Sequence, residues 1–432
     1  MPFALPVLIL IRLIRPFLLV RLENIGPSMG PLALHPEIYL CEQEVGVRVP
    51  KKRYKDIFYS PEIVCNYQMF KMWKRVIFIW PYWTFGIVAW LNDLIPGGSS
   101  HKFCFYDDRD VNNLLEKTKP HVNFSIGEEE RGRIGLSLLG IPEGSPFVCF
   151  LVRDGAYGDL VGSEKYHRLF RNTDIDNYVL AMEALVNRGY YVIRMGATAS
   201  KPLNTFNSKI IDYAMNGMRS EFMDVYLGSK CAFCVTTSSG WDAIVALFRR
   251  PLVITNQTPA FQPYTHLDKI LITFKKHINS KDGRELSLSE IFSVGAGFFG
   301  RTYYYDLAGI ELIENSPKEI CDVVIEMAER LDGSWKHHED DEALQRRFWE
   351  IFPTKSKRLI LENYPCMIPA IPVEMFEHLD GRYRKYDEDF KKRFWEIFPA
   401  AWLEPYSERP IHGEIRARFG AHYLRNNQGW LK

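Results

Sequence analysis

The residues Thr236-Thr237-Ser238-Ser239-Gly240-Trp241-Asp242 stand where an apolar run ends and a helical pattern begins. The first amides of a helix have no partner within it, its dipole favours negative charge, and small residues let a diphosphate come close to the main chain. Ser238, Ser239 and Gly240 therefore read as donors to a diphosphate, although a simple N-cap by Ser238 or Ser239 would carry the same signature. A second stretch, Arg153-Asp154-Gly155-Ala156-Tyr157-Gly158-Asp159, follows another apolar run and leads to Lys165, His167, Arg168 and Arg171. Arg194-Met195-Gly196 closes a third such run. If these runs are parallel strands, all three loops leave one carboxyl edge, where open α/β sheets bind ligands. The planar forks of Arg171 and Arg194 suit phosphate oxygens, though each alone also fits a surface or capping charge. Asp154, Glu164 and His167 are the candidates to take a proton from an acceptor hydroxyl, and their residue types do not rank them.

Other patterns carry less. Gly295-Ala296-Gly297-Phe298-Phe299-Gly300 matches G-x-G-x-x-G, but no clear strand precedes it and Tyr303-Tyr304-Tyr305 reads as extended, so a loop is expected. Cys231-Ala232-Phe233-Cys234 falls in an expected strand, whose alternation sends the two thiols to opposite faces and argues against metal or redox work. His337-His338-Glu339 lies in a polar stretch and is expected to be solvated, and no metal site is expected anywhere.

Positioning the three loops requires alternating strands and helices. Strands are expected at 147–152, 190–194, 231–236 and 251–255, with a possible one at 210–213 and helices at 175–187, 221–227 and 241–248. That alternation is the signature of a parallel, doubly wound sheet. Ser316-Pro317-Lys318-Glu319 joins a capping box to a proline at the first helical position and starts a helix reaching about residue 331. Upstream, residues 17–22 read as a strand, the glycines and proline of 23–30 as a turn, and 32–40 as a helix to which Pro36 is the main objection. Further strands at 56–60, 76–80 and 102–106 and a helix at 128–139 complete a first α/β unit. The expected division is 1–143, 144–335 and a tail, 336–432, whose closing helix at 414–424 returns to the first unit. Arg347 to Pro353 and Arg393 to Pro399 both read R-F-W-E-I-F-P, a local duplication rather than a solenoid.

At 432 residues, 47% hydrophobic and 14% aromatic, the chain can bury two cores. Its formal net charge of +1 gives no general field for nucleic acid, so any anion must be bound locally. Eight scattered cysteines read as reduced thiols of a cytoplasmic protein rather than a disulfide framework. Residues 3–11 are wholly apolar but are interrupted by Arg12, Arg15 and Pro16 well short of the roughly 20 residues of a span. They fit an interfacial helix at a membrane surface or a first helix packed on the body equally well.

The sequence resembles a family of bacterial glycosyltransferases associated with surface-polysaccharide biosynthesis. The resemblance rests on Val152-Arg153-Asp154, Phe170-Arg171-Asn172-Thr173-Asp174-Ile175, Val192-Ile193-Arg194-Met195-Gly196, Thr237-Ser238-Ser239-Gly240 and Glu314-Asn315-Ser316-Pro317, and covers most of the chain. It implies two Rossmann-like domains of GT-B type with a C-terminal helical tail, the acceptor in the first domain and the sugar nucleotide in the second. It also implies metal-independent transfer with no cofactor beyond the nucleotide-sugar substrate. Where the family pattern has R-I-G-H in the first loop, this chain has Ser28-Met29-Gly30-Pro31 and lacks the histidine. The expected function is sugar transfer from a nucleotide-sugar to a glycan or lipid-linked acceptor, cytoplasmic and peripheral to the inner membrane. A sugar-nucleotide epimerase on the same fold and a non-catalytic nucleotide- or glycan-binding partner are the alternatives. An epimerase would need no acceptor, and a binding partner would consume nothing.

Overall fold

The computed structural model describes residues 3–102, 110–156, 169–260, 264, 267–352 and 414–432. Three strands, β1 (Leu19–Asn24), β2 (Tyr54–Tyr59) and β3 (Ile79–Trp80), form a small parallel sheet in that order. Of the expected strand at 102–106, Lys102 makes a parallel bridge with Leu22, and residues 103–106 lie outside the described ones.

The second sheet is larger. It contains β4 (Phe147–Leu151), β5 (Tyr191–Arg194), β6 (Ile210–Ile211), β7 (Phe233–Thr236), β8 (Leu252–Gln257), β9 (Ile270–Phe274) and β12 (Arg418–Phe419). Their order is β12-β9-β8-β7-β4-β5-β6 and every pair is parallel. From β4 the chain steps outward to β5 and β6, then crosses back to β7 and continues to β8 and β9 on the other side. The remaining strands, β10 (Lys276–Asn279) and β11 (Ile310–Ile313), pair antiparallel beside it. Strands β4, β7, β8 and β9 are buried almost throughout, as a sheet covered on both faces demands. One face is covered by helices Val179–Asn187 and Pro317–Asp332, which pack on each other through Met182, Leu185, Val324 and Met327. The second of these starts on the Ser316/Glu319 capping box, with Pro317 in the first turn.

The other face of the large sheet is covered by helix Asp242–Leu247, and against it lies helix Met29–Val45 of the first half. A single apolar cluster runs from Ile25 and Leu34 through Ile244 and Ile272 to Leu431. The two sheets are separate, yet the helices between them share one core.

Three local expectations change. Pro36 sits inside a 17-residue helix. A proline there cannot donate to the carbonyl four residues back. That carbonyl, Leu32 O, instead accepts the indole N–H of the fully buried Trp73 at 2.8 Å. Tyr303-Tyr304-Tyr305 is helical within Thr302–Leu307, because the buried Tyr305 ring packs on Phe299 and its hydroxyl donates to the carbonyls of Ala296 and Phe299. The closing helix Ala421–Asn426 does not lie across the first sheet. It packs on helices Pro317–Asp332 and Asp341–Ile351, while Arg418 and Phe419 extend the large sheet; buried Phe419, Phe348 and Trp430 form the aromatic cluster that holds it there. The tail touches the first half through Glu414, whose main chain exchanges two hydrogen bonds with Asn113. Residues 353–413, with the second R-F-W-E-I-F-P copy, lie outside the described residues.

Trp73→Phe keeps a buried aromatic ring, though a smaller one, and strips the donor from Leu32 O. It should lower unfolding free energy by about 1–3 kcal/mol, the cost of a buried unsatisfied carbonyl. Urea denaturation checks this, and an unchanged midpoint would mean that the proline helix needs no outside donor.

Candidate functional site

Strand order reverses between β4 and β7, and the loops leaving these two strands meet at the carboxyl edge. They are tied by the Arg153 amide donating to Thr237 Oγ1 (3.0 Å) and the Thr237 amide donating to Leu151 O (3.3 Å). A third segment joins them when the Thr173 amide donates to Arg153 O.

The turn after β7 is shaped by Asp242. Its carboxylate is fully buried and accepts the Ser239 amide at 2.8 Å and the Thr236 and Tyr264 hydroxyls, each at 3.2 Å. Burial pushes this carboxyl up to about 6, against the lowering effect of those donors. Ser238 adopts a left-handed conformation (φ 63°), and Ser239 Oγ accepts the Trp241 amide. The Ser239 amide thus serves the helix's own aspartate, a pairing that the spacing of Ser239 and Asp242 allows.

Arg171 does reach this turn, donating from Nη2 to Ser238 O. Gly240 faces the first half. A β-carbon on it would lie 3.2 Å from Gly30 N and 3.5 Å from Met29 Cβ, so the turn abuts the N-terminus of helix Met29–Val45. Ser28, at the N-cap of that 17-residue helix, makes no side-chain capping bond.

Arg194 is placed differently from its expected role. Only 2% exposed, it donates from Nη1 to Lys201 O (2.6 Å) and to Asp212 Oδ2 (3.3 Å), and Nη2 lies 3.8 Å from Asp154 Oδ2. Two carboxylates and a carbonyl hold the guanidinium, so it organises the loop after β5 rather than presenting a fork to a ligand. Asp154 is equally engaged. Oδ1 accepts the Ala156 amide, and Oδ2 accepts the amide and hydroxyl of Ser200. Asp154 lines a cleft of about 180 Å³ with Val152, Thr173, Asp174, Ser200 and Lys201, and Lys201 Nζ there lies 2.6 Å from both Asp174 and Asp176. Glu164 and His167, with Lys165 and Arg168, lie outside the described residues.

Glu314 and Asn315, noted in the sequence only for the resemblance, brace this edge from behind together with Asn256. Glu314 accepts the Asp174 amide and the Asn177 side-chain amide. Asn315 and Asn256 each donate a main-chain amide to the other's side chain, and Asn315 also accepts from Thr273 and donates to Phe274 O. The Glu314-Asn315-Ser316-Pro317 motif thus knits the ends of β8 and β9 to the segment carrying Arg171. Buried Lys275 adds a bond of 2.5 Å to Asn172 O, and burial lowers its basicity.

Among the described residues, one group has the donors for a metal: Glu37, Cys41 and His121, with ligand atoms within 4.8 Å of one another. A protein cation already stands there, because Arg249 Nη2 is 2.6 Å from Glu37 Oε1. His121, 3.2 Å from Glu37 and 3.3 Å from Glu44, is pushed up to about 10 by its contacts with Cys41 and Glu37. The charges balance as a buried ion network joining helix Met29–Val45, residues 115–121 and Arg249. Cys231 precedes β7 instead of lying in it, and with Cys149 and Cys234 forms a buried group of free thiols in which burial raises Cys149 and Cys234 well above ordinary values.

No protein-family model and no curated protein matches the chain. Among solved structures it is similar to the ADP-heptose LPS heptosyltransferase II of E. coli, with 16% identity, a TM-score of 0.38, and coverage of 59% of this chain and 90% of that one. It is also similar to a family 9 glycosyl transferase from Veillonella parvula at 9% identity and TM-score 0.37, covering 60% and 85% of the two chains. A third is the E. coli heptosyltransferase WaaC with ADP-2-deoxy-2-fluoro heptose, at 11% identity and TM-score 0.31, covering 59% and 93%.

Removing the guanidinium would strand Asp154 and Asp212. Arg194→Met is expected to destabilise the ligand-free protein by about 3–5 kcal/mol, the usual cost of breaking a buried ion pair from one side. Thermal unfolding without nucleotide reads this directly. An unchanged melting temperature would return Arg194 to the role of a ligand-facing cation.

Proposed function

We propose that this chain is a glycosyltransferase moving a sugar from a nucleotide-sugar donor to a glycan or lipid-linked acceptor. The observation that carries the reading is the meeting of three features at the β4/β7 reversal. Arg171 is held on the Ser238 carbonyl, Gly240 abuts Met29 and Gly30, and the positive end of a long helix without a side-chain cap points into the same junction. Fixed donors and a dipole gathered there would stabilise the charge that develops on a departing nucleoside diphosphate. In this reading residues 144–335 hold the donor and 1–143 the acceptor, while Arg418 and Phe419 of the tail 336–432 add a strand to the donor sheet.

The geometry supports the following roles. Arg171 and the main chain of Ser238 and Gly240 would face the diphosphate, while Arg194 and the Asp242 carboxylate set the loops. Asp154 lies on the cleft wall and, with Glu164 and His167, supplies the choice of base for the acceptor hydroxyl. The nucleotide-sugar enters as substrate, with no metal or other cofactor in the scheme. Among the described residues no helix is long and apolar enough to cross a membrane, and a lipid-linked acceptor would be met at the cytoplasmic surface of the inner membrane.

Calorimetric titration of ADP, GDP and UDP against the full chain and Arg171→Ala checks this reading. At least one nucleotide should bind, and the variant should bind it about tenfold or more weakly, the loss of a charge-assisted contact. Donor turnover should require an acceptor. Equal affinity in both proteins would move the anion site away from this turn.

A further inference from the structure

Helix Ala4–Leu13 is held rigidly on one side. Ala4, Leu8 and Ile11 are buried against Val88, Ala89 and the first sheet, and Arg12 clamps the helix end to Asn92 and to the carbonyls of Ile95 and Pro96. Its other side is apolar as well. Leu5, Ile9 and Leu13, spaced as one helical stripe, all face outward, with Leu13 70% exposed. The packed neighbour, residues 82–93, likewise turns Trp83 (62% exposed) and Trp90 (58%) outward, and Leu94 follows at 63%. Both elements are well packed beneath, so the exposed apolar surface is not the product of a loose segment. Single exposed apolar residues are ordinary, but a surface built from two adjacent elements marks an interaction site.

We propose that this two-element face docks the protein on a bilayer containing anionic phospholipid. A helix of 10 residues is about 15 Å long, half the hydrocarbon thickness, so it lies in the interface rather than spanning it. Tryptophans favour that depth, where the ring is apolar and the N–H stays wet. Charge agrees. At the end of the helix Arg15 is exposed between Leu13 and Phe17, which are exposed as well. An anionic lipid surface attracts a cation at the edge of such an apolar face. The inference rests on this surface and not on glycosyl transfer, so either can fail alone.

The test is flotation of the full chain with phosphatidylcholine vesicles, with and without phosphatidylglycerol, alongside the Ile9→Glu/Trp90→Glu variant. The wild type should float with the anionic vesicles, less with neutral ones, and its tryptophan emission should be quenched by bromine-labelled acyl chains. The variant should partition about tenfold or more weakly while keeping the wild-type melting temperature and nucleotide affinity. Absence of flotation and quenching in the wild type, or equal partition of the two proteins, would overturn the proposal. So would lipid-free self-association that the variant abolishes, because a second copy would then be what covers the face. The quenching experiment needs no variant and stands even if the substitutions impair folding.

Discussion

Between β4 and β7 the path of the chain across a parallel sheet reverses, and ligands of open α/β sheets bind at such a reversal. Here the loops leaving the two strands meet at the carboxyl edge, and polar bonds fix how they meet. Thr237 bridges the two loops through its hydroxyl, Asp242 closes the turn after β7, and Arg194 binds the loop after β5 to Asp154. Most donors at the edge are spent on holding it open in one shape. Fewer are left for a ligand than the sequence implies, and those lie nearest Arg171, Gly240 and the start of helix Met29–Val45.

The same junction depends on how the halves are joined. Arg249, at the end of helix Asp242–Leu247, donates to Glu37, to Leu115 O and to Thr118, so a single guanidinium ties the turn-bearing helix to the first half. Glu37 is fully buried, and Arg249 and His121 face its carboxylate, as burial of such a group requires. With the helices locked in this way, the contact of Gly240 with Gly30 has little freedom to slip. A side chain at position 240 would press on that contact, which gives glycine there a packing reason.

The large sheet was legible because its strands are short apolar runs alternating with helical periods, and because Ser316-Pro317-Lys318-Glu319 carries its cap in the sequence. The turn at 236–242 was also legible as a helix start, but a cap and an anion site share one spelling, and only the position of the Asp242 carboxylate separates them for Ser239. Arg194 looked like a ligand cation because its partners, Asp212 and the Lys201 carbonyl, follow later in the chain and carry no local signal. The helix over 32–40 was legible despite Pro36, but what answers the objection was not, because the Trp73 indole comes from 37 residues away. The closing helix packs elsewhere than expected for a similar reason: two residues of β12 are too few to read as a strand, and the aromatic cluster that fixes them is assembled from distant segments.

Hydrogen exchange of the full chain, free and saturated with whichever nucleoside diphosphate binds, tests the central placement most directly. The account predicts slowed exchange in the amides of 28–30, 170–175 and 237–241, the three segments that meet at the β4/β7 reversal, with little change at β10 and β11. Protection that leaves all three segments untouched while appearing elsewhere would contradict it.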